Sequence, residues 1–462
     1  MSLISNTDLN EAIYQKYICP TKRKRKPYVG VEFELPIVNL KKSPVDFSLI
    51  HRLTDVFIRQ FSFDILHRDD NGDIYSAQSS VNNDGISYDC SYNTLELSFG
   101  AESDLNVLYQ RFTVYYEFIQ NFLKHHNHTL TGMGINPYYK FNRNEPIPNG
   151  RYRMLYHHLC SYEKYGQAIP FHHNPNFGLF SCASQVQLDV EENMLAETLN
   201  TFTKLEPLKS LLFSNSLWGE EHECLCVRDM FWKNSLHGLN RHNVDMYEIN
   251  FHDSEEIVAY IKSMSLYCVE RGEKYINFPP VPLKKYFESE QIIGEYYDKG
   301  NYHEIHFEPQ IEDLAYLRSF KFEDLTFRGT VEFRSVCEQP VSEIMTPSAF
   351  HTGLMENLSS LTSLLNSNST IYRLGYSPLE LRDLLNQRKF PEFLDKAEVS
   401  ALLIEVLDIA RDGLIKRGLH EEHFLEPLYR RAKYLSNPAR QIADGLDNNV
   451  PLEYFIHEYA RL

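Results

Sequence analysis

The chain has 462 residues, 43% hydrophobic and 24% charged, with a formal net charge of −17. So acidic a balance argues against nucleic acid as the main partner, and no apolar run approaches the ~18 residues of a membrane-spanning helix. Eight cysteines scattered through a long chain are not a disulfide framework, and Cys224 and Cys226 have no second thiol pair at zinc-finger spacing. The first residues, Met1 to Asp8, lack the charged-then-apolar order of a secretory signal, so a cytoplasmic location is expected.

Residues 7–17 read as a short helix capped by Thr7 or Asp8. The basic run Lys22-Arg23-Lys24-Arg25-Lys26 reads as a solvated lead-in that offsets the acidic bulk. Gly30-Val31-Glu32-Phe33-Glu34-Leu35 then alternates with period two. That is a strand with Val31, Phe33 and Leu35 on a buried face and two carboxylates about 7 Å apart on the other. Residues 47–61 carry apolar residues at helical spacing, and Asn71-Gly72-Asp73 and Asn83-Asp84-Gly85 are turn signals. A second acidic element runs from about Tyr88 to Phe99, with Asp89 near its start and Glu96 and Ser98 on its polar face. Ser103 caps a long helix to about His126, whose Leu108, Phe112, Tyr115, Ile119 and Phe122 should cover the apolar side of the sheet.

Residues 132–150 read as a loop, with a helix beginning near Gly150. A strand at 183–190 puts Gln185, Gln187 and Asp189 on one face, and a helix from about Asn193 to Ser214 follows. Ser254 caps a helix that ends near Arg271-Gly272-Glu273, and residues 288–327 are charged and weakly patterned. A last acidic strand, 330–336, carries Glu332 and Arg334 on one face; from Pro347 onward the pattern is almost wholly helical. The paired histidines 125–126, 157–158 and 172–173 diverge from one another and read as non-ligating. Strands so far apart must meet. We therefore expect one α+β domain over residues 1–462, a mainly antiparallel sheet covered by helices, with 347–462 a helical region packed on it.

Glu32, Glu34, Asp89, Glu96 and Glu332 stand on polar faces that have almost no lysine. Gathered together, they would repel unless a cation lay between them. Hard carboxylate oxygens suit two or three Mg²⁺ ions, which take phosphate and water as their other ligands. Arg334 beside them points to an anionic ligand. The chain has no Gly-x-x-x-x-Gly-Lys-[Ser/Thr] or Gly-x-Gly-x-x-Gly loop, so phosphate would be held through metal and arginine. It also has no Gly-x-Ser-x-Gly nucleophile motif. The plainer readings are solvated strand faces, Asp89 as a turn residue, and a surface ion pair between Glu332 and Arg334.

Several of these stretches resemble the glutamate–cysteine ligases of plants and many proteobacteria. Gly30-Val31-Glu32-Phe33-Glu34 looks like that family's Gly-x-Glu-x-Glu strand, and Asp89 and Glu96 match its Asp and Glu seven residues apart. Pro148-Asn149-Gly150-Arg151-Tyr152-Arg153-Met154 resembles its Pro-x-Gly-Arg-Tyr-x-x-Met turn, with Met one place early. Cys182 to Asp189 looks like its Cys-Thr-Val-Gln-Val-Asn-Leu-Asp strand; Val227-Arg228 and Glu332-Phe333-Arg334 match its Met-Arg and Glu-Met-Arg. The resemblance implies a fold like the glutamine synthetase catalytic domain, a curved antiparallel sheet with ATP and Mg²⁺ on its concave face. It implies an ATP-dependent ligase that makes a γ-glutamyl phosphate and then an amide, with cysteine as the expected amine, the first step of glutathione synthesis. Another amine is the alternative; a catalytically silent nucleotide-binding relative is the alternative of another class. Arg334 would neutralise the phosphoryl group, the five carboxylates would hold metal, Gln185 would be a neutral metal ligand or an ATP contact, and Gln187 would contact ATP. Arg228, Arg151 and Tyr152 would bind substrate. Partners would be small molecules, without nucleic acid or membrane. The chain departs from the pattern at Gln187, where the family has Asn, and at Ser335-Val336-Cys337-Glu338 after Arg334.

Overall fold

A computed structural model of the chain describes residues 5–165, 171–219 and 222–462. Its strands are β1 (Val29–Asn39), β2 (Phe63–Arg68), β3 (Ile74–Ser79), β4 (Gly85–Tyr88), β5 (Thr94–Glu102), β6 (His128–Leu130), β7 (Ser184–Asp189), β8 (Val244–Asp245), β9 (Ser265–Arg271), β10 (Lys274–Pro282), β11 (Ile292–Asp298), β12 (Asn301–Phe307), β13 (Phe320–Lys321), β14 (Glu323–Leu325) and β15 (Thr330–Phe333). The helices are α1 (Asn6–Ile13), α2 (Phe47–Phe61), α3 (Leu105–Lys124), α4 (Gly150–Cys160), α5 (Glu192–Phe213), α6 (Val227–Lys233), α7 (Ser254–Ser263) and α8 (Leu283–Phe287). After them come α9 (Thr346–Glu356), α10 (Leu358–Ser367), α11 (Pro378–Leu385), α12 (Lys396–Arg417), α13 (Glu426–Tyr434), α14 (Pro438–Asp447) and α15 (Leu452–Glu458).

The main sheet runs β14-β15-β7-β1-β5-β4-β3-β2, with β6 beside the far end of β1. Its pairings are antiparallel, so the α+β expectation and the antiparallel sheet are both found. Alternation along β1 decides which way the sheet faces. Val31, Phe33 and Leu35 are 0–2% exposed. Phe33 meets Phe99 of β5 at 5.8 Å and Phe112 of α3 at 5.2 Å, both edge-to-face. Burying each such ring contributes about 1.5–3 kcal/mol, so helix α3 holds the apolar side and the carboxylates are left on the other. A second antiparallel sheet, β12-β11-β10-β9, stands beyond α4, which packs on β10.

Several boundaries differ from expectation. Helix α1 is capped by Ser5, α3 by Asp104 and α7 by Asp253, each through a side-chain oxygen on a first-turn N–H. Where an aspartate adjoins a serine, the carboxylate also meets the positive end of the helix and takes the cap. Residues 14–18 continue α1 as a π turn. The stretch expected as helix to Arg271 stops at Ser263, and Ser265–Arg271 is β9, turning at Gly272 with φ +61°. Its apolar run suits a buried strand as well as a helix. The weakly patterned 288–327 holds the β11–β12 hairpin, whose Lys299 and Gly300 both have positive φ. The acidic element from Tyr88 to Phe99 is a turn followed by β5, and the last acidic strand ends at Phe333 rather than 336. The basic run is also more than a lead-in: Arg23 pairs with Asp189 at 2.9 Å and Arg25 with Glu356 at 2.8 Å.

From Thr346 onward the regular elements are helices, α9 to α15. Helices α9 and α12 cross so closely that a Cβ on Gly353 would stand 2.1 Å from the Ala410 carbonyl oxygen. Behind β15, a fully buried ionic knot ties four elements together. Arg382 of α11 pairs with Glu206 of α5 and, at 2.7 Å, with Asp229 of α6; Lys209 also pairs with Glu206, and the Ser335 hydroxyl donates to it at 3.0 Å. Removing one partner of such a knot strands the others in low dielectric. Arg382→Ala should therefore lower unfolding free energy by about 3–5 kcal/mol in urea titrations. Arg373→Ala, at the partly exposed pair with Glu398, should change it by less than about 1 kcal/mol.

Candidate active site

Register brings the acidic residues into rows. Glu34 lies opposite Glu96, Glu32 opposite both Ser98 and Gln185, and Gln187 opposite Glu332. Asp89 is not on a strand. It sits in the turn between β4 and β5, next to Cys90 with φ +56°. Its side chain nevertheless acts electrostatically on Glu34 and Glu96. All five carboxylates thus face one region, although they begin 300 residues apart in the chain.

Their partners are polar and sparse. Glu34 accepts from the Ala183 N–H at 2.6 Å and from Gln185 Nε2 at 2.7 Å. Gln187 Nε2 donates to Glu32 at 3.2 Å, and the Ser87 hydroxyl donates to Glu96 at 3.0 Å. Burial, then the charges of Glu332 and Glu96, pushes Glu32 up to about 8. Burial and Asp89 push Glu34 up to about 8, and burial, Asp89 and Glu34 do the same to Glu96. Asp89 is raised by burial against the pull of Arg151 and Arg334. Carboxylates held this far above their ordinary range are short of positive charge.

A divalent ion fits that shortage. Among the described residues, no group of three or more His, Cys, Asp or Glu side chains is placed so as to hold a metal ion by itself. The carboxylates stand in rows across the sheet instead, so any divalent ion held here would need water or phosphate as its other ligands. The two glutamines differ here. Gln187 spends its oxygen on Arg328 at 2.9 Å, whereas Gln185 Oε1 is buried without a hydrogen-bond partner. Gln185 is thus the one with an oxygen to offer.

Arginines frame the row. Arg334, just past β15, pairs with Glu332 at 3.3 Å and donates from Nη1 to the Ser319 carbonyl at 3.3 Å. The plain ion pair is therefore present. Arg334 also acts on Glu32 and Asp89. Arg228, 7% exposed at the start of α6, reaches the main-chain carbonyls of Ser335 and Arg334 at 3.5 Å and the Cys337 sulfur at 3.9 Å, and its Nε has no partner. Arg151 is exposed at the start of α4 and faces Asp89 and Glu96 with no ion pair among the described residues. Tyr152 is different: it is buried, and its hydroxyl donates to the Tyr88 carbonyl at 3.2 Å, bracing the Asp89 turn from behind.

The description of glutamate-cysteine ligase family 2 (GCS2) matches residues 28–444, which holds every element of this site. The chain belongs to that family. Among curated relatives it is 23% identical to the chloroplastic glutamate–cysteine ligase of Solanum lycopersicum, over 68% of this chain and 56% of that protein. It is also 23% identical to the chloroplastic glutamate–cysteine ligase of Medicago truncatula, over 92% of this chain and 79% of that protein. The chain thus spans little more than half the length of several curated relatives it matches. Two solved structures are also similar. One is a glutamate–cysteine ligase of Francisella tularensis in complex with AMP (13% identity, 94% of this chain, 87% of that chain, TM-score 0.44). The other is a bifunctional glutathione synthetase from Pasteurella multocida (11% identity, 99% of this chain, 53% of that chain, TM-score 0.45).

Within this family member, sequence reasoning missed two arginines. Arg328 reaches the row through Gln187. Arg318 precedes the Ser319 carbonyl that holds Arg334, and its Nε is buried without a partner. No strand pattern flags either, because both sit in irregular chain.

The raised carboxyls have a consequence for stability. Glu32, Glu34 and Glu96 hold protons in the folded chain between their ordinary value near 4.5 and about 8. Their contribution to folding is full below about pH 4.5 and is lost as pH rises through 8. A cation that replaces those protons should stabilise most where they have been lost. The Mg²⁺-induced rise in Tm should therefore be larger at pH 8 than at pH 6, and smaller in Glu34→Gln. A rise that is flat or falls with pH would count against metal binding at this row.

Proposed function

We propose that the chain is an ATP- and Mg²⁺-dependent ligase joining the γ-carboxylate of glutamate to the amine of cysteine. One observation carries the reading: four carboxylates on a sheet face, with Asp89 in the adjoining turn, are flanked by Arg151 and Arg228, which have no ion-pair carboxylate partner among the described residues. An unpaired cation beside an acidic face is laid out for anionic substrates bridged to it by metal. Glu32, Glu34, Asp89, Glu96 and Glu332, with Gln185 Oε1, would hold Mg²⁺, which supplies charge neutralisation at the phosphates.

The residues then divide the work. Arg228 receives the α-carboxylate of glutamate and turns its γ-carboxylate toward Arg334. An oxygen of that carboxylate bonds to the γ-phosphorus of ATP, and the bond to ADP breaks. Arg334, anchored by Glu332 and the Ser319 carbonyl, steadies charge on the phosphoryl oxygens during transfer. The amine nitrogen next bonds to the acyl carbon, the acyl–phosphate bond breaks, and the nitrogen's proton passes to the departing phosphate. No protein nucleophile is needed, in keeping with a sequence that shows no nucleophile motif.

Two measurements test this. Wild type, given glutamate, ATP and Mg²⁺, should release ADP when cysteine is added; if cysteine does no better than a blank while another amine does, the acceptor assignment falls. Arg334→Ala should lower turnover on the order of 10³-fold at saturating substrates. Arg334→Lys should also stay well below wild type, since it keeps the charge and loses the planar fork. Near-normal turnover in Arg334→Ala would leave the residue as a structural ion-pair partner.

A further inference from the structure

The stretch at which the chain leaves the family pattern, Ser335-Val336-Cys337-Glu338, borders Arg228 and has no part in the chemistry above. Arg228 is buried, yet it has no carboxylate ion pair among the described residues. What it meets is sulfur. Its Nη1 lies 3.9 Å from Cys337 Sγ, which lies 3.6 Å from Cys226 Sγ and 3.5 Å from Ser216 Oγ. Cys226 stands at the N-cap position of α6, just before Val227-Arg228, and Ser216 Oγ accepts the Arg228 main-chain N–H at 3.3 Å. Cys337, Cys226 and Ser216 are 0–1% exposed. Three segments, one after α5, one opening α6 and one after β15, thus close around a single guanidinium.

A guanidinium this deep is costly unless an anion stands beside it. A thiol in contact with it can supply that anion, because a neighbouring cation and hydrogen-bond donors favour the thiolate. Cys337 has both. Burial opposes its charge, but the hydrogen bond from Cys226, the Arg228 guanidinium and the Ser216 hydroxyl bring it down to about 6, with Asp229 pulling the other way. Cys226 moves in the opposite direction. Its hydrogen bond to Cys337, then burial, push it well up, so it keeps its proton and donates. An ionised Cys337 only accepts, and the Ser216 hydroxyl, whose oxygen takes the Arg228 N–H, has its own proton to give. The remaining titratable neighbours do not compete for the role. Burial pushes Cys182 and Glu338 well up and Cys224 up to about 12. Asp229 is paired with Arg382 at 2.7 Å, and Glu34 reaches Arg228 through its charge, without an ion pair among the described residues.

We infer that Cys337 is the resident counter-ion of Arg228, an ionised sulfur that neutralises the guanidinium in the empty site and takes up a proton when glutamate's α-carboxylate arrives. Cys337 is a positioning residue, since it acts on substrate only through Arg228. The ionised sulfur stands on the cluster itself; its coupling to glutamate rests on the ligase reading. Once the α-carboxylate lies on the guanidinium, two anions share one cation. A thiolate holds a proton more tightly than a carboxylate does, so the sulfur is the one neutralised. One proton passes from solvent to Cys337 Sγ, and no bond between heavy atoms forms or breaks. The coupling is reciprocal: whatever removes the charge on Cys337 tightens glutamate binding by the same factor.

The experiment records thiolate absorbance in the ultraviolet on the full chain, kept reduced, from about pH 5 to about pH 8, as the difference between wild type and Cys337→Ser. The difference should titrate as one thiolate with a midpoint about two to three units below that of an ordinary cysteine. Cys226→Ala removes the S–H donor and leaves Cys337 in place. It should raise the midpoint by about one unit, and it covers the case in which Cys337→Ser does not fold. Saturating glutamate with Mg²⁺ should also raise the wild-type midpoint by about one unit. γ-Aminobutyrate, which is glutamate without its α-carboxylate, should leave it unmoved. In turnover at pH 8, Cys337→Ser should lower KM for glutamate by up to about tenfold and leave KM for ATP alone. A midpoint at the ordinary cysteine value, or no absorbance lost in Cys337→Ser, would overturn the inference and leave the ligase reading standing. So would a low midpoint that glutamate does not move in an enzyme that turns glutamate over. A wild type with the low midpoint that neither binds nor turns over glutamate would overturn the ligase reading and the coupling together.

Discussion

Like charges on one strand face set the terms for the rest of this structure. Alternation along β1 gives the core Val31, Phe33 and Leu35 and leaves Glu32 and Glu34 with nowhere else to point. The neighbouring strands then add Glu96 and Glu332 rather than lysines. The sheet could have been neutralised locally by a cross-strand Lys, at little cost to folding. It was not. Burial together with that mutual repulsion pushes three carboxyls to about 8.

Holding those arginines still takes a separate device. Arg228 begins α6, a helix of seven residues, too short to fix its own direction. The next residue, Asp229, is locked by Arg382, which also grips Glu206 in α5, and Glu206 takes the hydroxyl of Ser335 beside Arg334. One buried knot therefore sets both Arg228 and the end of β15. The helical region after Pro347 contributes Arg382 to it, so helices far from the sheet in sequence help to position the site.

How much of this was legible in the sequence follows from the range of each interaction. Period-two alternation is local, so the four acidic strands and the residues on their polar faces could be read directly. The family motifs then gave Arg228 and Arg151 their expected roles. What escaped reading depends on distant partners. Asp89 looks like a strand residue until the turn at Cys90 is seen, and β9 looks like the tail of a helix until β10 pairs with it. The β11–β12 hairpin had a local signal in Lys299-Gly300 that was overlooked among charged residues. Tyr152 carries a motif position yet spends its hydroxyl on the Tyr88 carbonyl. Arg318 had no signal at all: its neighbours Tyr267 and His237 arrive from separate segments.

Strand β1 pairs with β7 and β5, and β7 with β15, so the acidic face is stitched from segments 60 to 300 residues distant along the chain. Such pairings close large loops before any local contact rewards them. During synthesis, β1, β5 and β7 emerge early, while β15 and its partner Arg382 emerge after two-thirds of the chain. Until then, the β7 edge is unprotected and the Glu34 carboxylate has no arginine neighbour from α6 anchored by the knot. The order of emergence thus leaves the site incomplete until Arg382 has been made, and the exposed β7 edge is the interval in which a nascent chain is open to mispairing.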